Sequence, residues 1–109
     1  MANTYKNAKV DLTSTDLTTL YTAPNAKSGV FKSILVSEDS GNADTITMTI
    51  TDAASSPATF SLFKTKAISA NATVELLTAP LVVQENEILK VQAATADRLH
   101  VVASYLEIS

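Results

Sequence analysis

The sequence offers few residues able to do chemistry, and they are scattered. The single histidine, His100, lies inside an apolar run beside Val101 and Val102. A lone histidine in a strand is read as a packed or hydrogen-bonded side chain. With no cysteine and one histidine, a zinc site would need almost wholly carboxylate ligands, which that metal rarely accepts. No cofactor or metal is expected. A serine nucleophile needs a base and a strained turn of the G-x-S-x-G kind, and the chain has only two glycines, Gly29 and Gly41. The same scarcity excludes glycine loops that cradle phosphate.

Carboxylates are the remaining source of chemistry. Glu38, Asp39 and Asp44 form one group, and Glu85 with Glu87 forms another. Either could hold calcium or act as an acid–base pair, but the D-x-D-x-D-G spacing of a calcium loop is absent. Both groups fall in turn-like stretches where solvated acids are common. A sugar cleft or platform is built from exposed aromatics, and here there is no tryptophan and only Tyr5, Tyr21 and Tyr105 among tyrosines. No catalytic residue is predicted.

The elements that must carry these residues are strands. From Asp44 to Thr51 the chain alternates, with Ile46, Met48 and Ile50 on one face and threonines on the other. Threonine suits the wet face, since its β-branch favours an extended backbone and its hydroxyl meets water. Further strands are predicted over Gly29–Ser37, Ala58–Lys66, Thr73–Thr78, Leu81–Val83, Ile88–Thr95 and Leu99–Ile108. Ala8–Leu12 and Leu17–Thr22 can extend near the front. No segment keeps helical apolar spacing for three turns between caps. The expected fold is one all-β domain, an antiparallel jelly-roll-like sandwich of about eight short strands. Residues 1–12 form a polar N-terminal arm and first strand, and residues 13–109 the sandwich. The stretch Met1–Lys9 either reaches onto a neighbour or stays disordered.

Composition narrows the partners. The 109 residues carry a net charge of −3, with eight dispersed basic residues. Neither nucleic acid nor an anionic membrane surface is an expected partner. No apolar run approaches the roughly 20 residues of a membrane span. The first residues lack the apolar core of a signal peptide, so synthesis in a cytosol is expected.

The last strand is unusual, because it is apolar on both faces. Leu99, Val101, Ala103 and Tyr105 share one, and Val102, Leu106 and Ile108 the other. A sandwich covers only one face of a strand, so the second needs a loop or a subunit. Val102, Leu106 and Ile108, with Tyr5, Val10 and Leu12 from the arm, are the expected interface residues.

Three stretches carry a resemblance. They are Leu20–Pro24 followed by Phe31–Val36, then Ile68–Leu77, and finally Leu99–Ile108. Together these resemble small virion structural proteins of tailed bacteriophages, with Asn86 where such proteins often have glycine. Asparagine also tolerates a left-handed backbone. The resemblance implies a non-enzymatic role in the virion, assembled in the bacterial cytoplasm. Its leading form is a capsid decoration, or cement, protein bound to the major capsid protein, with a homotrimer favoured at three-fold junctions. The alternative is a tail, baseplate or head–tail joining component. A third reading is a glycan-binding module, which should expose an aromatic or acidic cluster at one end of the sandwich and has its main support in Tyr21 and Tyr105 being exposed.

Overall fold

The computed structural model describes residues 3–109, so Met1 and Ala2 of the N-terminal arm lie outside the described residues. Nine strands follow one another: β1 (Asn3–Asp11), β2 (Thr18–Thr22), β3 (Ser28–Glu38), β4 (Asp44–Thr51) and β5 (Thr59–Ile68). They continue with β6 (Thr73–Glu75), β7 (Leu81–Val83), β8 (Ile88–Ala93) and β9 (Leu99–Ile108). One sheet runs β1-β9-β3-β6, with β7 also paired to β3, and the other runs β2-β8-β4-β5. Every pairing is antiparallel.

The topology is a jelly roll. Strand β6 pairs with Leu35–Ser37 of β3 and β7 with Gly29–Phe31, so the two are halves of one interrupted strand. Counted as one, they give the two interleaved four-strand layers of that fold. The interruption has a local cause. The Glu75 carboxylate accepts from Ile34 N at 2.7 Å, from Leu77 N at 3.2 Å and from the Ser33 hydroxyl. It supplies the acceptor that a continuous strand would have given. The chain then loops out through Leu76–Pro80 before returning.

Between the layers lies a single apolar core that includes Phe31, Ile34, Val36, Ile46, Met48, Leu89, Val91, Leu99 and Val101. Burial along β4 alternates through Met48, as the threonine pattern predicts, and then slips. Its register with β5 shifts there, and Thr49 is buried with a hydroxyl that has no hydrogen-bond partner among the described residues. An orphaned buried hydroxyl costs desolvation with no return. Thr49→Val is therefore expected to raise stability by about 1 kcal/mol, read from urea unfolding midpoints. A loss of stability would mean that the hydroxyl is partnered after all.

Turns are fastened by acids. Glu38 is buried and accepts from Ser40 N and Oγ, Gly41 N and Asn71 N at 2.6–3.1 Å. Desolvation pushes its carboxyl up, but these bonds favour the ionised form and hold the pKa down at about 2. Because the folded value lies below the unfolded one, the contribution is whole above about pH 4.5 and is lost as pH falls towards 2. Glu38→Gln should unfold more readily at neutral pH and lose less stability on acidification than the parent. An identical acid response in both proteins would remove Glu38 from the account. Asn86 and Asn71 sit at φ 64° and 58°, the left-handed turn positions that asparagine tolerates.

Two expectations about the arm are corrected by its placement. From Asn3 to Asp11 it is neither free nor extended to a neighbour, but pairs along its length with β9. Leu12 is 1% exposed, its N–H bound to Leu99 O and its carbonyl to Asp97 N. It is a core residue and presents nothing to a partner.

Candidate functional site

Strand β9 sits second from the edge of its sheet, between β1 and β3, and sends alternate residues in and out. Leu99, Val101, Ala103, Tyr105 and Glu107 are buried, whereas His100, Val102, Ser104, Leu106 and Ile108 point to the outer face. The register continues each outward residue into a row across the sheet. Tyr5, Leu106, Val30 and Val82 form one row over β1, β9, β3 and β7. Lys9, Val102, Leu35 and Glu75 form a second over β1, β9, β3 and β6. Between them lie Asn7, Ser104 and Ser33, with the exposed Lys32 at a register shift of β3. Exposures of 76% for Tyr5, 50% for Val82, 42% for Val102 and 39% for Leu35 leave both rows open to water.

Of the six residues expected at an interface, the fold gathers Tyr5, Val102, Leu106 and Ile108 on this face. Val10 pairs with Val101 and packs inward against the core with Ala8. Alternation explains the split, since Ala8, Val10 and Leu12 share a parity opposite to that of Tyr5 and Lys9. Val30, Leu35 and Val82 belong to the face but were not singled out from sequence. The extra residue at Lys32 reverses the parity of β3, so Phe31 and Leu35 point to opposite sides although four residues apart. Nothing in the local sequence marks that shift.

Tyr21 and Tyr105 are each 7% exposed inside the sandwich, Tyr105 stacked on Phe31 and Tyr21 meeting it edge-on. The glycan reading thereby loses its main support. Gly29 makes room for the buried Tyr21, since a Cβ there would lie 2.9 Å from the ring. The Tyr21 hydroxyl donates to Glu107 at 2.9 Å, and desolvation, then this bond, pushes the phenol well above its ordinary value. Lys6 also binds Glu107, at 2.9 Å, and chiefly through that bond holds the carboxyl below the usual range.

His100 lies beside a carboxylate. Its Nε2 lies 3.2 Å from Asp11 Oδ1, and both side chains are exposed. The same row continues to Ser37 and Thr73, whose hydroxyls are 3.1 Å apart. An Asp–His–Ser order is suggestive, but acyl transfer also needs free N–H donors aimed at a developing oxyanion. Here the flanking β1, β9 and β3 backbones are joined in continuous ladders on an open sheet. The His100–Asp11 pair borders a shallow depression, lined by Lys9, Val10, Asp11, His100, Val101 and Val102, that is broadly open to solvent.

Glu85 and Glu87 fasten turns. Glu85 accepts from Ala26 N, and Glu87 from Gln84 N at 2.7 Å. Among the described residues, no three His, Asp or Glu side chains are grouped to hold a metal ion. The outer face of the five-stranded sheet is thus the principal candidate for function. No family model matches this chain, and no curated protein matches it.

Proposed function

We propose that this chain is a non-enzymatic structural protein of a tailed-phage virion, and specifically a capsid decoration protein bound outside the major capsid lattice. The observation that carries the reading is the outer face, where apolar side chains in two rows across the sheet stand open to water. A monomeric domain gains nothing from Tyr5, Val82, Val102 and Leu35 in water, whereas an assembling one buries them. The likeness of Leu20–Pro24, Ile68–Leu77 and Leu99–Ile108 to phage virion proteins supplies the context. A decoration protein docks through a modest patch of about 800 Å² per partner, and homo-oligomers multiply that contact into avidity.

The test is co-sedimentation of the purified protein with heads of its parent phage. Wild-type protein is expected to pellet with the heads and to form a homo-oligomer in solution. Leu106→Asp places a charge between Tyr5 and Val30, and should abolish the oligomer and the avid binding while the circular dichroism stays that of a β protein. A folded Leu106→Asp variant that assembled and bound as well as the parent would sink the role of this face. Wild-type protein that never bound heads would sink the decoration role.

A further inference from the structure

The rows on the outer face have a symmetry that sheet register makes visible. In the second row a cation, Lys9, stands at the β1 end and an anion, Glu75, at the β6 end, with Val102 and Leu35 between. In the first row the large ring of Tyr5 stands at the β1 end and the small Val82 at the β7 end, with Leu106 and Val30 between. Both rows have their midpoint in the same place, the line between β9 and β3.

We infer that this face pairs with the same face of a second copy about a two-fold axis running along that line. The inference rests on the reading of this face as an assembly surface, and commits it to two-fold in place of three-fold symmetry. Rotation about an axis parallel to the strands lays each row on its own copy, end for end. Lys9 then meets Glu75 of the second copy, and Tyr5 meets its Val82. Val102 meets Leu35, and Leu106 meets Val30. A two-fold axis across the strands would instead lay each strand on its own copy, so that Glu75 would face only β6 or β7, which carry no cation. Charge selects the first orientation. Sheets packed face to face keep their strands within about 30° of alignment, which this axis allows. An isologous contact is closed, so it stops at two copies.

The middle row is the polar seam of the contact. Asn7, Ser104 and Ser33 supply hydrogen bonds there, and Lys32 comes to lie over Ser104 of the second copy. Its long stem lets the ammonium stay in the wet seam while the methylenes pack. Glu75 stays anionic in this role: burial pushes its carboxyl up, but the bonds from Ser33, Ile34 and Leu77 outweigh that and hold it below the usual range.

The pairing of position 5 with position 82 gives a sharp test. Within one chain the two are separated by three strand spacings, about 14 Å, too far for an ion pair. Both side chains are well exposed, so charges there spare the fold. Light scattering at micromolar and near-millimolar concentration should find a dimer of the wild-type chain. Val82→Glu alone puts a carboxylate against Tyr5, twice per dimer, and should weaken association roughly a hundredfold. Tyr5→Arg combined with Val82→Glu should restore most of it.

A monomer at both concentrations, a trimer, or a double variant no better than Val82→Glu would overturn the pairing. Head binding is measured on the same preparations. A monomer or trimer that binds heads overturns the two-fold pairing alone. A dimer that does not bind heads overturns the decoration role and leaves the pairing intact.

Discussion

Replacing Phe31 by alanine lowers the unfolding free energy by about 4 kcal/mol, the largest loss expected from any single truncation in this core. The ring is fully buried and stacks on Tyr105, with centroids 4.8 Å apart and planes inclined at 22°. Tyr21 meets it edge-on at 5.1 Å. Removing it deletes the transfer term of a whole aromatic ring and opens a cavity that two tyrosines cannot readily fill. Both are fixed, Tyr21 by its bond to Glu107 and Tyr105 by its place in β9. Domains of this size have roughly 5–15 kcal/mol in total, so the variant is left marginal and melts about 20 °C lower. Phe31→Leu should cost much less, because most of the volume returns. Urea unfolding of the two variants checks the claim. A loss below about 1 kcal/mol for alanine would show that the aromatic cluster collapses freely around the gap.

Where local pattern was decisive, the strands were legible. The alternation of Asp44–Thr51, the short Leu81–Val83 run and the two-faced Leu99–Ile108 run end where β4, β7 and β9 end. Strand β1 was legible only in its second half, because Asn3–Asn7 earns its place through ladder bonds to β9 instead of apolar side chains. Backbone pairing leaves no mark on side-chain periodicity. Strand β6 stops at Glu75, short of the expected Thr78, since that carboxylate turns back onto Ile34 N. The jelly-roll order depends on which distant strands pair, and local composition does not encode it. The same holds for the site. The outward face of β9 was legible from alternation, whereas Val10 and Leu12, expected beside Tyr5 at the interface, have the opposite parity and turn inward. Its neighbours Val30, Leu35 and Val82 follow only once register and the β3 shift are known.

Glu107→Ala is expected to cost about 2 kcal/mol, and the partners show where the loss falls. The carboxylate is buried at the end of β9, between Tyr21 Oη at 2.9 Å and Lys6 Nζ at 2.9 Å, with Lys27 Nζ at 3.7 Å. Both lysines are more than two-fifths exposed and return to water at little cost. The Tyr21 hydroxyl cannot, because its ring is held in the core by Phe31 and Tyr105. Most of the loss is therefore a stranded donor, and a second substitution tests that assignment. Tyr21→Phe should destabilise the parent yet be neutral or stabilising in the Glu107→Ala background, a coupling of about 1–2 kcal/mol. Additive effects would move the energy to the lysines. In that case Lys6→Met would reproduce the loss, and the cost would fade in concentrated salt, which screens exposed ion pairs but not a buried hydroxyl.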